Sequence, residues 1–481
     1  MSRRSGLAAV LVLALGVGVV AVGTFAGEDL VVASGDSVAP VREHVRSSRL
    51  GCPDVGDMEG RSTWVSAASV PGLPGQSQDG SLNVIGGAKL FTIGTPGGSG
   101  TVDQFSSDSA QVRATGGMAP GVVSARVSSD RREEGRGIAS TPCSHPSSDL
   151  WLLGGGASKG QRDVLVLTNP TDTDAVADVR VYGPDGLVDT TGTRGLAVGP
   201  GQASELQLDA VAPDVPVLAL HVTTKVGLVT AAVLDNRMDG LVPRGVEIIP
   251  AIAGPRKRFV IPGVPSGTGV RELLLFAPDK PGTVKVRAFT SGGVVGMPAM
   301  PGTRVGLDSV VRVGLTGILA GRAAAVEVTS NVPVLAAVSA SSDLSSRGSD
   351  LVWGVPGSAL SGASAIAGLR SGWSTKLLLT ATDGDARASI SVLPAALSGA
   401  KLVPVGDPGG EIVVPSGRTV EVDVKAPKTS VYSVVVRRLD GRGLHVAHVQ
   451  ADRDGMMTGY AAVDVSPWVK LPPVGPEYGR G

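Results

Sequence analysis

The sequence predicts an all-β protein: tandem antiparallel β-sandwich repeats, Ig-like in kind, behind one N-terminal transmembrane helix. Three observations carry that reading. Short valine-rich runs recur with turn residues every ~8 to 12 positions, the texture of stacked antiparallel sheets. Two separate landmarks return at one interval, since Trp151 and Phe259 lie 108 positions apart and so do Leu167 and Leu275. No amphipathic helical period stands out beyond the N-terminal apolar segment.

Arg3 and Arg4 precede an uncharged stretch, residues 7–26, and Glu28 and Asp29 follow it. At 1.5 Å per residue such a helix covers about 30 Å, the thickness of a hydrocarbon core. Residues 1–6 are then a cytoplasmic stub, 7–26 a signal anchor and the bulk extracytoplasmic. The alternative is a cleaved signal peptide ending near Thr24-Phe25-Ala26 and a secreted protein. Leu50-Gly51-Cys52 hints at a lipid-attachment box, but Arg49 stands where such a box needs an aliphatic residue. Residues 27–49 read as a polar linker.

Outside the cytoplasm an even pair of cysteines normally closes a disulfide. Cys52 and Cys143 are therefore expected to staple residues 50–149, a small β-rich module, the competing reading being two separate buried thiols. Three sandwich repeats follow at 150–255, 256–347 and 348–470, with a tail at 471–481. Residues 150–154, 258–263 and 351–354 read as their opening strands. Residues 219–233, 325–338 and 431–448 read as closing hairpins, the last turning at Asp440-Gly441-Arg442-Gly443, where glycine permits a positive φ. The Ser/Gly/Ala stretch 361–368 reads as an insertion. Residues 419–425 alternate valine with polar residues, as a half-buried strand does.

The run of Cys143, Pro146, Trp151, Gly154-Gly155 and Leu165-Val166-Leu167-Thr168-Asn169-Pro170, behind an anchor and an earlier Cys52-Pro53, resembles a family of uncharacterised actinobacterial envelope proteins known only as a domain of unknown function. The resemblance spans nearly the whole chain through the order of its short motifs. It implies an exported β-rich protein and the pairing of Cys52 with Cys143. It brings no activity, ligand, cofactor or catalytic residue.

Composition narrows the function classes. The 43 Lys+Arg balance 43 Asp+Glu, so no nucleic-acid partner is expected. The 68 Gly and 33 Pro come without collagen's period or the low apolar content of a disordered chain, which predicts a folded chain with many turns. Gly156-Ala157-Ser158-Lys159-Gly160 fits the serine-hydrolase pattern, yet a strand follows where a helix belongs, so a turn is expected. Ser398-Gly399-Ala400-Lys401 with Lys428-Thr429-Ser430 resembles penicillin-recognising enzymes, but the intermediate element is missing.

His44, His145, His221, His445 and His448 show no metal-binding spacing, and His221 reads as an outward, solvated position matching Glu327 in the repeat. Asp452-Arg453-Asp454-Gly455 and Asp383-Gly384-Asp385 read as turns rather than calcium loops. Trp151, Phe259 and Trp353 read as packing residues, leaving Trp64, Trp373 and Trp468 as candidate exposed rings for a saccharide. Arg256-Lys257-Arg258 reads as a solvated linker, with contact to an anionic envelope polymer as its functional alternative.

The expected protein is a noncatalytic, membrane-tethered extracytoplasmic one that binds or scaffolds a cell-envelope component, with no catalytic, cofactor-binding or metal residue. Its partners are the membrane through the N-terminal helix and an envelope polymer or membrane protein. The alternatives are a secreted hydrolase acting on envelope polymers and an accessory subunit of a membrane complex.

Overall fold

The computed structural model describes residues 42–53, 61–86, 88–103, 109–132, 135–296, 302–343, 348–406 and 410–470. The expected stub 1–6, anchor 7–26 and tail 471–481 lie outside the described residues, as does most of the linker. Among the described residues no helix is long and apolar enough to cross a membrane. The protein is all-β, 61% strand against 3% helix, and forms several sheets. From residue 47 to residue 464 the ladders between named strands are antiparallel.

Strand β1 (Arg42–His44) and, from the far end of the chain, β35 (Trp468–Lys470) make a two-stranded sheet. The first set of strands comprises β2 (Ser47–Cys52), β3 (Ser62–Ser69), β4 (Leu82–Gly86), β5 (Ala88–Ile93), β6 (Ser99–Asp103), β7 (Ala110–Thr115), β8 (Val122–Asp130) and β9 (Gly137–Pro142). Its two sheets run β2-β7-β4-β5 and β6-β3-β8-β9, and they share a core that includes Leu50, Val65, Leu82 and Val112. Cys52 and Cys143 are bridged, with Cα atoms 4.3 Å apart, across a sequence separation of 91.

The second set comprises β10 (Asp149–Leu153), β11 (Val164–Thr168), β12 (Ala175–Gly183), β13 (Gly186–Leu187), β14 (Leu196–Val198), β15 (Ala203–Gln207), the short α1 (Leu208–Val211), β16 (Ala219–Val226), β17 (Thr230–Asp239) and β18 (Val242–Pro250). The third comprises β19 (Arg256–Val264), β20 (Arg271–Phe276), β21 (Gly282–Thr290), β22 (Gly293–Gly296), β23 (Thr303–Val305), β24 (Val310–Gly314), α2 (Thr316–Leu319), β25 (Ala324–Ser341) and β26 (Leu351–Gly354). The fourth comprises β27 (Ala363–Arg370), β28 (Ser374–Pro394), β29 (Val403–Pro404), β30 (Glu411–Val414), β31 (Arg418–Asp423), β32 (Val431–Ala451), β33 (Met457–Thr458) and β34 (Val463–Asp464).

One pairing order runs through all four sets. The opening strand joins a late segment, namely β7, β16, or the first half of β25 or β32. The second strand joins the next stretch of chain after that segment, namely β8, β17 or the second half of β25; in the fourth set the first half of β28 joins the second half of β32, and the rest of β28 continues along the first half of β32. The expected closing hairpins are therefore corrected. Residues 325–338 lie within the single strand β25, whose first part pairs with β19 and β21 and whose second part pairs with β20 and β26; residues 431–448 lie within the single strand β32, paired along its length with β28; and β16 and β17 serve different sheets. A break in a valine-rich run marks where a strand changes direction. It does not say whether the chain folds back on itself or crosses to the facing sheet.

Two further readings change. Residues 351–354 belong to β26 and pair with β25, so they close the third set and do not open the next. The stretch 361–368 holds no loose insertion, because β27 runs through it and is almost wholly buried. Its small side chains allow a close approach: Ala365 and Ala367 share a core with Ala68, Val123 and Ala125 of the first set. A Cβ at Gly368, where φ is +78°, would lie 3.1 Å from Val127 Cγ2. The second and third sets also merge, Trp151 and Leu220 packing in one cluster with Phe276, Leu335 and Trp353. Residues His44–Pro467 accordingly form one compact unit.

Candidate functional site

Two places in this unit gather polar chemistry. At the first, β9, β18, β26 and β33, each an outer strand of its sheet, meet. An outer strand leaves alternate N–H groups unpaired, and burying them requires acceptors. Asp350 supplies them: its Oδ1 accepts from Val246 N (3.1 Å) and Leu351 N (3.0 Å), and its Oδ2 from Ile138 N (2.9 Å) and Met457 N (3.0 Å). Glu247 does the same one step along. Its Oε1 accepts from Ser140 N (2.7 Å) and Ile248 N (3.0 Å), and its Oε2 from Thr458 Oγ1 (2.8 Å) and Gly459 N (3.4 Å).

Both acids are buried. Burial pushes Asp350 up to about 8 against the pull of its four backbone donors, and it pushes Glu247 well above the usual carboxylate range. The strands reach the carboxylates because the chain there lacks side chains. A Cβ on Gly137 would sit 2.9 Å from Asp350 Oδ1, and one on Gly245, where φ is +116°, would sit 2.7 Å from it. Nearby, Asp235 receives Trp353 Nε1 (2.6 Å) and Arg237 Nε (2.9 Å), while Asp163 caps Gly156 N and Asn236 N.

The second place is a cleft of about 480 Å³ lined by residues of β19, β25, β28 and β32 and of the loops at 252–254 and 356–359. Arg258 Nε and Nη2 bond Glu327 Oε1 at 3.0 and 2.9 Å, and Arg287 Nε holds Oε2. Burial would raise Glu327, but the bonds from Arg287 and Arg258 outweigh it and lower its pKa. His445 lines the same cleft and is 6% exposed. Burial pushes it down to about 4 against the upward pull of the Gly357 backbone, so at neutral pH it is uncharged. Its Nδ1 has no hydrogen-bond partner.

The residues singled out from the sequence are scattered over the fold. Ser158 sits in a turn between β10 and β11, where Gln161 N donates to its carbonyl. Ser398 lies in an exposed turn. Asp452 Oδ1 accepts from Asp454 N and Met456 N, and both acids face Arg131, while Asp385 accepts from Ser416 N. Among the described residues no cluster of three His, Cys, Asp or Glu side chains could hold a metal ion.

His221 corrects its expected solvation: its ring stacks on Trp151 at 3.8 Å and its Nε2 meets Asp149 Oδ1 at 3.1 Å. Its match to Glu327 survives, because His221 stands opposite Arg180 as Glu327 stands opposite Arg287. Trp151 and Trp353 are buried as expected. Trp64 is not the exposed ring expected, being 1% exposed beneath Arg370, whereas Trp468 is exposed. Arg256-Lys257-Arg258 is not a linker but the exposed start of β19, and two of its arginines line the cleft.

Asp350, Glu247 and the cleft belong to no motif in the sequence. The one visible signal was an acid inside an apolar strand, Val246-Glu247-Ile248-Ile249. No curated protein and no solved structure matches the chain. Residues 99–425, from β6 to just past β31, match a family model, and by that match the chain belongs to DUF5719, a family of unknown function.

Proposed function

We propose that this protein is a noncatalytic, membrane-tethered extracytoplasmic scaffold that binds or spaces a component of the cell envelope. In this reading residues 7–26 are the anchor, and the strand sets are Ig-like sandwich repeats descended from one unit. The observation that carries it is the junction of four outer strands on Asp350 and Glu247. Separate sandwiches strung on linkers would keep those edges open, whereas here they close on buried acceptors. Such a block holds its loops and clefts at set distances, which suits spacing and binding. The Cys52–Cys143 bridge supports an oxidising compartment.

Cross-linking in intact cells tests the reading. The expected result is an envelope polymer or membrane protein attached to the chain. Recovery of the protein in the cytosolic fraction with free thiols would overturn it, as would hydrolysis of ester, peptide or glycosidic substrates that Ser158→Ala abolishes.

A further inference from the structure

We infer that the cleft walled by β19, β25 and β32 is a binding site for a small organic anion, a carboxylate or phosphate carried on an apolar body. The inference goes beyond the scaffold reading and stands whatever compartment the protein occupies. The volume, about 480 Å³, is that of a small-molecule site.

Charge argues for an anion. Glu327 is fully engaged, one oxygen on Arg258 and the other on Arg287. Arg256, exposed on the cleft wall, makes no ion pair or side-chain hydrogen bond among the described residues. A guanidinium presents a rigid fork of donors that matches a carboxylate or phosphate with two parallel bonds. Asp383 and the neutral His445 complete the titratable lining, in which Arg256 and Arg258 face Glu327 and Asp383; Arg287 reaches Glu327 from outside the lining, so three guanidiniums serve a cluster of two carboxylates.

The remaining lining sets the ligand's body. Ile252, Phe259 and Leu335 offer an apolar wall. His445 is more than nine-tenths buried, and its Nδ1 is a polar atom without a partner. Leaving such an atom unsatisfied costs about 1–3 kcal/mol. The atom is closed off from solvent, so it lies behind the cleft surface and makes no contact with the ligand.

Calorimetric titration of the purified full-length protein with four probes of similar size tests the site: phenyl phosphate, 3-phenylpropionate, benzyl alcohol and benzylamine. One equivalent of either anion is expected to bind, with the alcohol and the amine at least tenfold weaker. Arg256→Ala, at an exposed position, is expected to weaken both anions at least tenfold and leave the alcohol unchanged. Binding of one anion alone identifies whether the source is a phosphate or a carboxylate. Absence of binding by both anions, equal binding by the amine, or unchanged binding in Arg256→Ala overturns the inference.

Discussion

The strand junction and the cleft both depend on buried acids, and they use them in opposite ways. At the junction Asp350 and Glu247 are surrounded by N–H and hydroxyl donors, with no cationic side chain among their hydrogen-bond partners. In the cleft Glu327 meets two arginines whose side chains are 66% and 42% exposed. The first arrangement closes backbone edges against one another. The second fixes guanidiniums at a surface, where their remaining donors face solvent. A carboxylate thus serves as mortar where backbone polar groups would be stranded, and as a clamp where charge must be presented.

Breaking the junction should have the largest effect. Asp350→Ala leaves four backbone N–H groups without acceptors, and unfolding in urea is expected to show a loss of about 3–5 kcal/mol. Above pH 8, where Asp350 is ionised, Asp350→Asn should be nearly as harmful, because its amide nitrogen must face two of those donors. A loss under 1 kcal/mol for both would show that the edges close without the acid.

Opening the Cys52–Cys143 bridge, by reduction or by paired Cys→Ser substitution, is expected to cost about 2–5 kcal/mol, read in the same experiment. The junction also sets a pH response. Asp350 is raised from 3.8 to about 8 on folding, and Glu247 is raised as well, so their contribution is complete below the unfolded pKa and is lost as pH rises through the folded one. Through Asp350, stability is therefore expected to decline between pH 4 and pH 8, by up to about 1.4 kcal/mol per pH unit, and Glu247 acts in the same direction. Glu327, whose pKa is lowered, has the opposite sign and matters only as pH falls below the carboxylate range. The buried, neutral His445 and His448 act in the opposite direction below pH 6.5, so the check lies above it: a melting temperature that climbs from pH 6.5 to pH 8 would contradict the assignment.

Smaller effects belong to packing and to the cleft. Gly368→Val places methyl groups against Val127 and should destabilise by about 1–3 kcal/mol, measured by thermal unfolding. Glu327→Gln should cost about 1 kcal/mol or less, because its partners are half-exposed and solvent screens them. A cost for Glu327→Gln as large as that of Asp350→Ala would erase the distinction between mortar and clamp.

The strands themselves were legible. Alternation along residues 419–425, the apolar runs around Leu167 and Leu275, and the 108-position interval all report local chemistry, so they survive as β31, β11, β20 and the matched registers of His221 and Glu327. The cleft and the junction were not legible. Arg258, Glu327 and His445 come from three strands, and no short window contains them. The stretch 361–368 looked like loop because glycine, serine and alanine favour loops in isolation. They are equally what a strand needs where two sheets pack closely, as β27 does on β3 and β8.

Sequence alone determined that this chain forms sheets and that its two cysteines make a pair, since each follows from side-chain period or redox chemistry within reach of one residue. The tertiary structure alone decided that strands cross between sheets, that four outer edges converge, and that two lone acids satisfy them. An unpaired N–H becomes expensive only once another surface removes its water, and which surface does so is settled by packing over hundreds of residues.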